Sequence, residues 1–221
     1  MGRYVHPVPD AYDGFPPGFF DRSDPTPDDR FYRAPRLVTH IDDGAIAAVG
    51  ALYNELGLCG PESGAVLDLM SSWISHFPVK PALLTVLGLN EHELAANPEA
   101  DHRVVLDLNA DPVPPMPFDT AAFAAAVCCV SVDYLVRPIE VFTETVRVVQ
   151  PGGLFVCTFS NRCFPTKAIR GWLGTDDSTH MGIVAEYFRR SGGWDEPVVQ
   201  VRTPAGHRGD PLFAVWARRA N

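Results

Sequence analysis

Short apolar runs alternate with amphipathic stretches along most of the chain. The runs are AVLDL (65–69), ALLTVLGL (82–89), RVVLDL (103–108), AAAVCCVS (124–131), LFVCTF (154–159), PVVQVRT (197–203) and LFAVWAR (212–218). Several are apolar on consecutive residues, as in strands covered on both faces. A first helix is expected from Thr39 as N-cap, with Asp42 at its third position in a capping-box arrangement. Ala45, Val49, Leu52 and Leu56 then recur at steps of four, three and four, and Gly57 ends the element. The clearest helix lies between the fourth and fifth runs. Pro138 sits where a first turn tolerates it, Phe142, Thr145, Val146 and Val149 form the inner stripe, and Pro151-Gly152-Gly153 is expected to stop it. HMGIVAEYFRR (180–190) is a further helix, with Met181, Val184, Ala185 and Phe188 as its core stripe. Strands alternating with helices predict an α/β fold with a doubly wound, mostly parallel sheet, which takes ligands beyond the carboxyl ends of its strands.

Residues 1–38 break this pattern. They hold seven of the 21 prolines and seven aromatic residues. Disordered tails are poor in aromatics, so this stretch is expected to be an irregular arm or lid that packs on a main domain spanning 39–221. At 221 residues and 46% hydrophobic composition, the chain can bury a sizeable core. A net charge of −9 argues against nucleic acid as partner, because phosphate backbones are held by Lys and Arg. No apolar run reaches the ~18 residues of a membrane span, and MGRYVHPVPD carries neither a secretory nor a myristoylation pattern. The five cysteines are Cys59, Cys128, Cys129, Cys157 and Cys163, without a C-x-x-C pair. Reduced thiols in a cytoplasmic protein are expected, with no metal site; Cys128 and Cys129 are read as core.

The carboxyl ends of five runs carry polar groups: Asp68 with MSSW, Gly88-Leu89-Asn90, Asp107-Leu108-Asn109, Ser131-Val132-Asp133-Tyr134, and Ser160-Asn161-Arg162-Cys163. Together they mark one ligand site.

At these residues the chain resembles a known family. VLDL, then DLNADPVPPMPFD (107–119), AVCCVSVDYL (126–135) and EVFTETVRVVQPGGLFV (140–156) resemble class I S-adenosylmethionine-dependent methyltransferases, in particular the small-molecule, ubiquinone/menaquinone methyltransferase-like group. The turn RVVQPGG is the most specific element. The resemblance covers roughly residues 62–162 and implies a Rossmann-like seven-stranded sheet with its last strand reversed. It implies S-adenosylmethionine as cofactor and a small-molecule methyl acceptor, in a monomer or homodimer. Asp68 takes the place of the acidic residue that orients the cofactor loop. Met70, Ser72 and Ile74 stand where the family pattern has glycines, so the loop is degenerate. Asn90, or Glu91 beside it, falls at the ribose position, and Asp107 or Asp111 at the adenine position, with Asp107 favoured and Asn109 nearby. Ser131 to Tyr134, including Asp133, would face the sulfonium and the acceptor.

The cofactor has no pyrophosphate, so close approach of a glycine backbone matters less than in dinucleotide sites. Ser71 and Ser72 are small, and either hydroxyl is expected to cap a following helix. SSWISHFP (71–78), FYRAPRLVTHID (31–42) and FSNRCFPTKA (159–168) resemble a narrower bacterial and plant subset of these proteins and mark where the acceptor is expected. Tyr32, Trp73, Asn161, Arg162 and Cys163 are candidate acceptor contacts, and His40 and His76 are candidate bases. Trp172, His180 and Tyr187 lie in an insert that often builds a lid in this family. Two other functions compete: a non-catalytic cofactor-binding or interaction protein, suggested by the missing glycines, and a hydrolase using Cys163 or Ser131, disfavoured by the absence of a G-x-S-x-G elbow.

Overall fold

A computed structural model describes residues 11–204 and 206–221. The elements in order are α1 (Asp28–Phe31), α2 (Asp43–Glu55), β1 (Gly60–Leu69), β2 (Pro81–Gly88), α3 (Glu91–Ala96), β3 (His102–Val105) and β4 (Phe123–Cys129). A 3-10 turn (Val132–Tyr134), α4 (Pro138–Val148), β5 (Val149–Phe159), α5 (Arg170–Leu173), α6 (Asp177–Ser191), β6 (Val198–Val201) and β7 (Phe213–Arg218) follow. All seven apolar runs form strands of one sheet in the order β3-β2-β1-β4-β5-β7-β6. The strands from β1 to β5 pair in parallel, and β7 runs antiparallel to both β5 and β6. One face of the sheet is closed by α4 and α6, through Phe142, Phe155, Tyr187 and Phe188. The other is closed by α2, through Ala45, Val49, Leu52 and Tyr53 against Val66, Leu84 and Val86. Among the described residues no helix is long and apolar enough to cross a membrane.

Three expected boundaries shift. The first helix is capped by Asp42, not Thr39: its carboxylate accepts the N–H groups of Ala45 (2.9 Å) and Asp210 (2.8 Å), while its own N–H donates to Asp210 Oδ2. A tertiary clamp to the loop before β7 therefore fixes the start. Pro151-Gly152-Gly153 does not stop α4, which ends at Val148 with β5 beginning at once. The three residues form a bulge inside β5, where pairing jumps from Phe123–Val149 to Ala125–Leu154. A Cβ on Gly153 would lie 2.5 Å from the Ala124 carbonyl, and Gly152 has φ +75°. The inner face of α4 is correspondingly Phe142, Thr145 and Val148, with Val146 half-buried. β3 is an exposed edge strand that ends at Val105, so Asp107 to Asn109 leave the sheet early.

The arm packs from residue 11 onward; its first ten residues lie outside the described set. Tyr12, Phe15, Phe19 and Phe20 form one aromatic cluster with Tyr187. Phe19 lies flat on Gly171, where a Cβ would come within 2.2 Å of its ring. Further along, Lys167 is fully buried. Its Nζ donates to the Thr26 carbonyl (2.6 Å) and pairs with Asp28 Oδ1 and Asp24 Oδ2, both at 3.2 Å. Asp28, 2% exposed, also takes two bonds of 2.8 Å from Arg22 and one of 2.9 Å from Asn109. Removing one partner of such a network leaves buried charge uncompensated. Lys167→Ala is therefore expected to lose ~3–5 kcal/mol of stability in urea denaturation and to expose residues 11–38 to protease. A loss under ~1 kcal/mol, the size of a surface pair, would show that the lysine does not hold the arm.

Candidate functional site

A cavity of about 460 Å³ opens at the carboxyl ends of the parallel strands and is closed over by the arm and residues 161–165. Its floor is the glycine-free turn after β1. Met70 takes a left-handed conformation with φ +53° at the position of the first expected glycine, and His76 does the same with φ +59°. The Ser71 N–H donates to the Leu87 carbonyl (2.8 Å), which carries the turn directly across the end of β2. That crossing needs a glycine, and Gly88 on β2 supplies it: a Cβ there would lie 2.2 Å from the Ser71 carbonyl oxygen.

The helix expected after this turn is absent. Residues 70–80 run as irregular chain straight into β2, and the sheet face such a helix would cover is occupied by α2. The serine hydroxyls therefore cap nothing. Ser71 Oγ donates to Asp68 Oδ2 and Ser72 Oγ to Glu93 Oε2, each at 2.6 Å. The loop is pinned further by Asn97, which donates to the Ser72 carbonyl and the Ser75 hydroxyl. Trp73 Nε1 reaches the Val38 carbonyl of the arm (3.0 Å).

Of the residues singled out from the sequence, Asp68, Met70, Ser71, Ser72, Trp73 and His76 line the cavity from the floor, and Asn90, Asp107, Asn109 and Ser131 from the other strand ends. Tyr32 and His40 line it from the arm, Tyr134 from the 3-10 turn, and Asn161, Arg162 and Cys163 from the segment after β5. Asp133 does not line it. It is 3% exposed with Oδ2 unpartnered, and burial pushes its carboxyl up to about 8. It lies behind the wall because the 3-10 turn directs it into the sheet-side core. Cys129, read as core, lines the cavity from the end of β4. Trp172, His180 and Tyr187 build no lid: all three are buried, Trp172 and His180 stack at 4.0 Å, and none lines the cavity.

Two of these residues have their polar groups engaged elsewhere. Asn90 caps α3, accepting from His92 and Glu93 N–H, while its amide donates to the Tyr32 and Arg33 carbonyls. The Asn109 amide donates to Asp28 and to the Tyr134 carbonyl, and its oxygen accepts from Val136. Both asparagines fasten the arm or a neighbouring loop, leaving Asn90 no open group and Asn109 a single lone pair on its oxygen. Arg36, Val38, Thr39 and Phe164, from the two segments marked for the acceptor, also line the cavity, as do Asp28 and Glu93, which were not foreseen. Glu93 stands at the position of a capping box after Asn90, a legible signal, but it accepts from the Arg36 N–H (2.7 Å) and Ser72 instead.

Burial sets the protonation of the site. It raises Asp68 to about 7, against the lowering effect of the Ser71 hydroxyl, and raises Asp107 as well. It lowers His76 to about 4 and lowers His40, so both rings are neutral at pH 7. His76 Nδ1 is buried without a protein partner. The Cys163 thiol is pushed up by burial and by Asp133, against a thiolate nucleophile. Val130, at the end of β4, holds φ +45°, a strained conformation for a β-branched residue.

Residues 64–157 match the family model of a methyltransferase domain. No curated protein matches the chain. Solved structures share the fold at low identity. Geranyl diphosphate C-methyltransferase from Streptomyces coelicolor A3(2), crystallised with S-adenosyl-L-homocysteine, is 14% identical with a TM-score of 0.54, over 87% of this chain and 97% of that one. The [4+2]-cyclase SpnF is 14% identical with a TM-score of 0.56, over 87% and 91%. An S-adenosylmethionine-dependent methyltransferase from Mesorhizobium loti is 16% identical with a TM-score of 0.50, over 78% and 98%. Residues 64–157 are thus similar to a methyltransferase domain, and the chain shares the Rossmann-like fold of these solved structures.

Gly88→Ala is expected to cost at least ~2–3 kcal/mol, because the new methyl meets backbone rather than a movable side chain. Met70→Gly is expected to stay within ~1 kcal/mol of the parent, since relief of ~1–2 kcal/mol of left-handed strain offsets the lost side-chain packing. Urea denaturation of both variants checks the pair; equal losses would overturn this account of the turn.

Proposed function

We propose that the chain is an enzyme that transfers a methyl group from S-adenosylmethionine to a small-molecule acceptor. The observation that carries this is the strand-end cavity in a chain similar to a methyltransferase domain, walled by two carboxyls, Asp68 and Asp107, whose pKa burial raises. S-adenosylmethionine, when bound, supplies an electrophilic sulfonium methyl group. Its positive charges suit Asp68 and Asp107, each of which lacks a cationic protein partner at ion-pair distance among the described residues. With Asn90 engaged, Glu93 is the carboxylate beside the end of β2 that can accept hydroxyls on its remaining lone pairs. The main contributions to rate would be positioning and exclusion of water by the arm. His40 and His76, both neutral at pH 7, are the groups able to take a proton from an oxygen or nitrogen acceptor. A cytoplasmic location and a small-molecule partner fit the five free thiols and the acidic surface.

A second function is favoured by the asparagines: with Asn90 and Asn109 engaged, the fold could bind a ligand without methyl transfer. Calorimetry separates the possibilities. S-adenosylmethionine and S-adenosylhomocysteine are expected to bind, and Asp68→Ala to weaken S-adenosylmethionine by ~10–100-fold, the size of a charge-assisted bond. Because the ionised form of Asp68 is the one that binds a cation, protons compete below pH about 7, and affinity is expected to fall from pH 8 to pH 6. Folded protein that binds neither compound would overturn methyl transfer; binding without turnover of any acceptor would favour the second function.

A further inference from the structure

Opposite the strand-end wall, the cavity has a second wall of different chemistry, formed by residues 32–40 of the arm, Tyr134 and residues 161–165. The lysines and arginines that line the cavity are Arg36 and Arg162 alone, both on this side. Arg162 sits at the rim, 64% exposed, with Asp210 at 3.5 Å. Arg36 is set deeper and is held by aromatic faces: its guanidinium lies 4.7 Å from the Phe31 ring centroid, 5.4 Å from Phe164 and 5.7 Å from Tyr32. One N–H donates to the Phe31 carbonyl (2.9 Å), and another makes a long contact of 3.5 Å with the Ala34 carbonyl. No carboxylate reaches the guanidinium within ion-pair distance among the described residues. Glu93 bonds the Arg36 backbone N–H, not its side chain.

Cation–π stacking holds a guanidinium in orientation without neutralising it, and beyond the two carbonyl contacts three of its five N–H donors stay open for an anion. Of the carboxylates around this wall, Glu93 is taken up by the Arg36 backbone N–H and the Ser72 hydroxyl, and Asp28 is matched by Arg22 and Lys167. The Tyr32 hydroxyl lines the same wall as a neutral donor, because burial raises its pKa and keeps it protonated. Phe164 and the Trp73 indole offer flat apolar surface beside it. A cationic acceptor would face two guanidinium groups here. A neutral one would leave Arg36 half-buried without an anion.

We infer that this wall binds the methyl acceptor and that the acceptor is a small aromatic carboxylate, its carboxylate on the N–H edge of Arg36 and its ring against Phe164. The assignment of this ligand as acceptor rests on the methyl-transfer function proposed above; the anion site itself does not. The cavity is then bipolar, with carboxyls for a cationic cofactor at the strand ends and a guanidinium for an anionic acceptor on the arm.

The test uses the full chain and three probes at millimolar concentration: benzoate, benzamide (the same shape without charge) and acetate (the charge without a ring). Binding is read by ligand-observed NMR, with and without S-adenosylhomocysteine. Benzoate is expected to bind at least tenfold more tightly than either control, and Arg36→Ala to remove that preference. Arg36→Lys is expected to recover only part of it, because a point charge does not replace a stacked fork. Equal binding of benzoate and benzamide, or a benzoate affinity unchanged in Arg36→Ala, would overturn the inference. Should Arg36→Ala fail to fold, the comparison of benzoate with benzamide on the parent chain decides alone. S-adenosylhomocysteine binding without benzoate preference would overturn this inference and leave methyl transfer standing. Arg36-dependent benzoate binding without any cofactor binding would do the reverse.

Discussion

The buried ammonium of Lys167 is the point on which the cavity depends. A lysine taken wholly out of water must be ringed by acceptors, and the acceptors here come from the arm: the Thr26 carbonyl and the carboxylates of Asp24 and Asp28. The lysine belongs to the segment after β5, so satisfying one charge fastens the N-terminal arm to the far side of the sheet. Asp28 extends the tie to Asn109 beyond β3, and Asn90 extends it to Tyr32 and Arg33 beyond β2. The arm is consequently a fixed wall of the site. It brings Tyr32, Arg36 and His40 to the cavity, groups that no strand end could supply.

The same tie explains why the resemblance reads the strands better than the ligand contacts. Strand ends are local features, and seven apolar runs were enough to place them. What a polar residue does at a strand end depends on what the rest of the chain brings against it. Asn90 and Asn109 stand where a cofactor-binding residue is expected, yet arm and loop segments 25 to 81 residues distant in sequence take their hydrogen bonds. Asp133 stands at the same level and is turned inward by a 3-10 turn that no hydrophobic period announces. Arg36 lay in a segment marked for the acceptor, but its meeting with Glu93, 57 residues away, has no local signature.

Charge distribution follows from this construction. Around the cavity, Asp28 on the arm is paired by Arg22 and Lys167, while Asp68 and Asp107 on the strand-end wall are held towards their neutral form by burial. Each neutralisation lowers the cost of keeping acidic groups together in a closed space. The raised pKa of Asp68 and Asp107 leaves both able to ionise when a cation arrives, and weakens their repulsion of an anion held on Arg36 beforehand.

The glycine-free turn fits the same logic. In a phosphate-binding loop, glycine lets ligand and backbone approach closely. Here the close approach is between two protein backbones, the Ser71 carbonyl and β2, and the glycine that permits it lies on the strand, at Gly88. With no helix following β1, the turn has no helix N-terminus to present to an anion, and its serine hydroxyls are bonded to the carboxyls of Asp68 and Glu93. A floor built this way disfavours a pyrophosphate and suits a cation. The steric demand that usually shows as a glycine motif has moved to a neighbouring strand, where a search for D-x-G-x-G would not look.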